Sequence, residues 1–211
     1  MISDLETTDD ETNLLDTILD QRVERSKIKL IIKIVIAVIL IILAILLPQL
    51  FHVFAGNESG TKWMPIFLPI LLAGCLYGVW WGLGIGIATP IVSFAISSIW
   101  KKPMPPAKSL ALMTPQAAVF GLVSGLFSRK IEKNKWIAFP AVLLGQTSGI
   151  TLYMILSAIF QSVTKVSAKK AWEQVEIGMV GDFFQALLVP FITIGIRMLI
   201  KSEKVNYSTV P

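Results

Sequence analysis

Uncharged apolar stretches long enough to cross a bilayer recur along this chain and leave little of it for a water-soluble fold. A spanning helix needs about 20 mainly apolar residues. Leu30 to Leu47 is interrupted only by Lys33 and ends at Pro48. Lys33 lies close enough to the start to snorkel to the interface. Met64 to Trp81 and Gly82 to Trp100 follow with no charge between them. Together they are about twice one span, so a tight turn is expected near Tyr77 to Gly82. Leu110 to Phe127, Trp136 to Phe160 and Gly178 to Ile200 complete the set, the last carrying Asp182 near its start and Arg197 near its end. The expectation is an all-α integral membrane protein. Six transmembrane helices form a compact bundle over residues 30–200, residues 1–29 form a leading tail and residues 201–211 a trailing one.

The charges define a topology. Only 16% of the 211 residues are charged, where soluble domains carry about 25%. Twelve Lys and Arg precede the first span, join the fourth to the fifth or follow the sixth, against seven on the opposite side. Positive charge is retained in the cytoplasm, so both termini are expected there. The net charge of +5 therefore needs no nucleic-acid partner. It combines a basic remainder with seven acids and no base over Met1 to Asp20. That acidic-then-basic tail is expected to be a solvated, partly helical cytoplasmic segment. Leu14, Leu15, Ile18 and Val23 leave open an amphipathic docking helix. The tail lacks the apolar core of a cleaved signal peptide.

Chemistry-bearing residues are scarce. Cys75 and His52 are the single Cys and His, which rules out a disulfide framework and makes multi-His metal binding a poor expectation. No glycine-rich loop ends in Gly-Lys-Ser/Thr, so the chain is not expected to hydrolyse ATP. Ser124 and Ser148 precede glycines, but no histidine lies within a span to serve as their base. The expectation is a non-enzyme with no metal and no cofactor.

Glycines recur every four residues at Gly74, Gly78, Gly82 and Gly86, and again at Gly121/Gly125 and Gly145/Gly149. Small residues at this spacing let helix backbones approach closely. Helix packing is the plain reading, a turn glycine or a face sliding on a partner the alternatives. Prolines at 65, 69, 90, 115, 140 and 190 punctuate the spans. Broken helices at membrane depth survive where they line a cavity or are buried in protein.

Four polar side chains stand out within the spans: Gln116, Gln146, Asp182 and Gln185. An ionisable residue in a span is a functional candidate by default. Asp182 is also readable as a helix-start carboxylate favoured by the helix dipole, and the amides as interhelical hydrogen-bond partners. Taken jointly, they suggest an outward-opening pocket floored by amides. Trp63 and Trp100, at predicted outer ends, are either interfacial belt residues or lids stacking on a planar ligand. Trp172 in the last outer loop shares that choice. Trp80, Trp81 and Trp136 are read as belt anchors.

Several phrases resemble a known family. Leu47-Pro48-Gln49-Leu50-Phe51-His52 follows the first span. Trp63-Met64-Pro65-Ile66-Phe67-Leu68-Pro69 opens the second and runs into Leu71-Leu72-Ala73-Gly74. Then come Trp81-Gly82, Gly86, Thr89-Pro90, Met104-Pro105-Pro106, Phe120-Gly121-Leu122-Val123-Ser124-Gly125-Leu126, and a pattern around Gln185 and Pro190. In this order they resemble the substrate-binding S components of energy-coupling factor (ECF) transporters, over roughly residues 45–150 and 178–190. The family phrases have His where Phe67 stands, Glu where Gln116 stands and often Arg where Gln146 stands. Three ionisable positions are neutral here, which implies a less charged ligand or a charge network lost as a set.

The resemblance implies a subunit of the prokaryotic cell membrane that captures a small nutrient, such as a vitamin, outside. It would deliver the nutrient by reorienting beside a transmembrane coupling subunit driven by two cytoplasmic ATPase subunits. Family members contact the coupling subunit through an Ala-x-x-x-Ala patch on the first helix. Here Ala37 and Ala44 share a face seven residues apart, without that motif. The alternative function is a stand-alone small membrane transporter or channel without ATPase partners. A non-transporting scaffold acting through the acidic tail is a third reading.

Overall fold

The computed structural model describes residues 27–28, 30–48, 50, 62–99 and 105–208, with side chains through residue 199. Among them every regular element is helical. The chain divides into two units, Met1–Val38 and Ile39–Pro211, and helix α1 (Leu30–Pro48) begins in the first and ends in the second. In the first unit, the described part of α1 exposes Ile31, Ile32, Ile34 and Val35, while Ala37 is buried. In the second, Leu40 and Ala44 are buried, whereas Ile42, Leu43 and Leu46 are exposed. The two alanines considered for a partner face are thus buried side chains, and the exposed sides of the helix carry alkyl groups.

The remaining helices belong to the second unit. They are α2 (Phe67–Tyr77), α3 (Val79–Ile99), α4 (Ala107–Leu126), a short α5 (Ser128–Lys133), α6 (Ala138–Ile159), a single-turn α7 (Gln161–Thr164) and α8 (Ala168–Ser208). A 3₁₀ turn, Lys135–Ile137, leads into α6. Among the described residues, five stretches can by length and composition cross a membrane: Leu30–Pro48, Val79–Ile99, Ala107–Leu126, Lys135–Ile159 and Ala168–Leu199. The chain is in these terms a multi-pass membrane protein.

Helix α2 differs from its sequence-based expectation. It has 11 residues, about 16 Å at 1.5 Å per residue, roughly half a bilayer core. Its limits have local causes. Gly78 takes φ +93°, a conformation that a side chain disfavours, and turns the chain into α3. Met64 takes φ +39° immediately before the Pro65–Ile66 turn that leads into the helix.

Helix α8 departs the other way. It starts at Ala168, ahead of the expected Gly178, and runs 41 residues. Its first turns carry Lys169, Lys170, Glu173 and Glu176, so hydropathy hides them. Ser167 accepts from the Lys170 backbone N–H at 3.3 Å, an N-cap bond. Ala171, on the first turn, is fully buried beside Leu112 and Tyr153.

Helix α4 is the centre of this unit and packs on α2, α3 and α6. The approach to α3 is backbone on backbone: a Cβ on Gly82 would strike the Gly121 carbonyl, and one on Gly121 the Gly82 carbonyl. On Gly86 a Cβ would lie 2.9 Å from Ala118 Cα, and on Gly125 2.7 Å from Val79 Cα. Gly74 faces Ser124 and Gly121 in the same way. These contacts lie within the chain, with Gly78 spent on the turn. Helix α8 completes the unit by packing on α6 and α2.

Candidate functional site

The irregular segment Met64–Ile66, with Trp63 just before it, sets up the site. Non-helical backbone in apolar surroundings must find hydrogen-bond partners. Gln185, 3% exposed on α8, provides them, its Nε2 donating to the Trp63 carbonyl at 3.1 Å and the Met64 carbonyl at 3.0 Å. Phe67 N–H also donates to the Met64 carbonyl, at 3.2 Å. Two glycines of α8 let the segment lie flat. A Cβ on Gly181 would strike the Trp63 backbone, and one on Gly178 would come within 2.8 Å of Met64 Cε. The Trp63 indole packs edge-on against Phe184, ring centroids 5.2 Å apart.

Beneath this strap lies a small cavity. Gln116 from α4, Tyr153 from α6, and Gln174 and Asp182 from α8 provide its polar lining, with Met64, Phe67, Met113, Ile150 and Val175 between them. Its free volume is about 10 Å³, room for about one water. Tyr153 donates its hydroxyl to Gln174 Oε1 at 2.6 Å. Asp182 Oδ1 is buried and has no hydrogen-bond partner among the described residues. Phe67 is fully buried and meets Phe120 edge-on at 4.6 Å.

The position of Asp182 changes one reading. With α8 starting at Ala168, Asp182 lies about four turns inside the helix. The helix dipole acts within the first turn, so it does not account for this carboxylate.

Of the expected site residues, Gln116 and Asp182 share the cavity. Gln146 stands beside it, its Nε2 donating to the Asp182 main-chain carbonyl at 2.9 Å. Gln185 and Trp63 form the strap and its anchor. Trp100 lies outside the described residues. Sequence reasoning missed Tyr153, Gln174, Met64 and Met113. Gln174 fell in an expected loop because α8 starts in polar sequence, and Ser167 as an N-cap was the available signal. The methionines and Tyr153 look like ordinary lipid or core residues until their neighbours are known.

A second polar cluster lies at the far end of α8. Arg197 Nη2 donates to the carbonyls of Cys75 at 2.9 Å, Leu76 at 3.4 Å and Ser128 at 3.1 Å. These include the last carbonyls of α2, which have no intrahelical partner. An open depression at the α6–α8 connection is lined in part by Lys165 and Lys170, and none of the expected site residues reach it.

Among the described residues, no three His, Cys, Asp or Glu side chains gather closely enough to hold a metal ion. Ser124 Oγ donates to the Phe120 carbonyl at 2.7 Å, so its proton serves the helix backbone. No protein-family model matches the chain, and no curated protein or solved structure matches it either. The arrangement is suited to enclosing a small polar molecule: a carboxylate, two amides and a phenol in an apolar wall.

Proposed function

We propose that this chain is the substrate-binding subunit of an ECF-type importer in a prokaryotic cell membrane. It captures a small nutrient outside and delivers it inward by reorienting against a coupling subunit powered by two ATPase subunits. In this reading the six spans are α1, the short α2 with its strap, α3, α4, α6 and α8, with both termini in the cytoplasm. ATP hydrolysis belongs to the partners.

One observation carries the reading. The positions at which this chain departs from the phrases it resembles converge on one place. Phe67 and Gln116 both line the cavity, and Gln146 bonds the main chain of Asp182, which also lines it. Three positions distant in sequence, exchanged together around one cavity, are what a change of ligand requires. The strapped cavity is then the closed form, and ligand entry requires Trp63–Met64 to lift from α8.

Affinity purification of the tagged chain from its native membrane tests this. The expected result is recovery of a membrane scaffold and ATPase subunits, together with a retained small molecule visible by native mass spectrometry. Uptake that persists with no ATPase recovered would instead favour a stand-alone transporter. Loss of activity on deleting Met1 to Asp20, with uptake unaffected, would favour a scaffold.

A further inference from the structure

The lining of the cavity carries information about the ligand it admits. It contains one carboxylate and no cation. A carboxylate oxygen held away from water is favoured by a donor or a positive charge and disfavours a second anion. Asp182 Oδ1 is such an atom. Tyr153 is an acceptor toward the cavity too, because its proton is committed to Gln174 Oε1 at 2.6 Å. Only the amides can supply donors. The wall thus presents the Asp182 carboxylate and the Tyr153 oxygen as acceptors and carries no positive charge, its donors being the amide N–H groups of Gln116 and Gln174.

The apolar part of the lining favours a flat molecule. Phe67 offers an aromatic ring held in place by Phe120. Met64 and Met113 offer flexible thioethers, which adapt to ring edges and faces. The cavity as it stands has room for about one water, so admission requires the strap to move. Met64 already holds φ +39°, a conformation disfavoured for its residue type, and side-chain hydrogen bonds from Gln185 and the Trp63–Phe184 ring contact are among the ties that a moving strap must break.

We propose that this cavity selects a small planar molecule that directs N–H donors, neutral or cationic, at Asp182, and that it rejects carboxylates. The inference rests on the cavity being the ligand site of the importer reading. It goes further in assigning the sign and the hydrogen-bonding sense of the ligand.

Three probes of one shape test it: benzamidine, benzamide and benzoate, added to the full chain purified in detergent. The thermal unfolding midpoint is followed against probe concentration. Benzamidine is expected to raise the midpoint saturably, benzamide less, and benzoate not at all. Asp182→Asn is expected to abolish the benzamidine shift. Benzoate stabilising most, no benzamidine shift, or an undiminished shift in Asp182→Asn overturns the proposal. If that variant does not fold, Gln116→Glu takes its place. A second carboxylate is expected to tighten benzamidine about tenfold, and unchanged binding overturns the proposal. Recovery of ATPase partners with a failed probe series leaves the importer standing and removes this ligand class. A successful series without partners does the reverse.

Discussion

Gln146 on α6 donates through Nε2 to the main-chain carbonyl of Asp182 on α8, at 2.9 Å. The bond ties the cavity's carboxylate-bearing turn to a neighbouring helix. Gln146→Leu removes it at a net cost of about 1 kcal/mol, a fall of about 2–4 °C in unfolding midpoint for a chain of this size. Gln146→Glu is expected to cost more, because an ionised acceptor then faces the carbonyl. Thermal unfolding in detergent measures both, and equal midpoints for wild type and the two variants would refute the role.

The glycines divide by what a Cβ meets. On Gly121 it strikes the Gly82 carbonyl, whereas on Gly84 nothing lies within 4 Å. Gly121→Ala must therefore push α3 and α4 apart, and a loss of about 1–3 kcal/mol is expected. Gly84→Ala removes backbone freedom without a clash and is expected to stabilise by about 0.5–1 kcal/mol. The same melting assay ranks them, and a Gly84 variant less stable than the Gly121 variant contradicts the packing.

Arg197 is 14% exposed, and its salt-bridge partner Glu132, at 3.9 Å, is 73% exposed. Exposed ion pairs contribute about 0–1 kcal/mol, so Glu132→Gln is expected to change stability little. Arg197→Leu strips the carbonyls of Cys75 and Ser128 of their donor, and a cost of about 1–3 kcal/mol is expected. If the Glu132 variant proves as damaging as the Arg197 variant, the ion pair, not the carbonyl capping, is what matters.

Cys75 is fully buried on α2. N-ethylmaleimide is expected to leave it unmodified in the folded chain and to label it after denaturation. Labelling in Gly121→Ala or Arg197→Leu at a temperature where wild type is inert reports loosening around α2. Rapid labelling of the native wild type is the result that contradicts the burial.

How much was legible in sequence varies by element. The turn between the second and third apolar runs was readable, because a doubled run must reverse and a glycine near its centre can do so. It falls at Gly78. The limits of Leu30–Pro48 and the end of Ala107–Leu126 likewise follow from where apolar residues begin and end, whereas the latter helix starts three residues ahead of the expected Leu110, through Lys108 and Ser109. The start of α8 was not readable from hydropathy, because Lys169, Lys170, Glu173 and Glu176 mask a helix held by Ser167 and the buried Ala171. That shift is what carried Asp182 from an apparent helix start into the helix interior.

The candidate site shows the same division. Gln116, Gln146, Asp182 and Gln185 were recognisable as polar groups in apolar sequence, because such groups cost free energy in lipid unless they are bonded or used. Which of them are bonded and which face a cavity depends on distances between helices, and periodicity within one helix does not contain those distances. Sequence by itself determined an all-helical chain with stretches able to cross a membrane, since both follow from local composition and run length. Tertiary structure decided that Gln146 and Gln185 hold backbone carbonyls while Gln116 and Asp182 meet Tyr153 and Gln174 around one cavity. That outcome depends on the close approach of α4, α6 and α8, which is set by the whole packed unit.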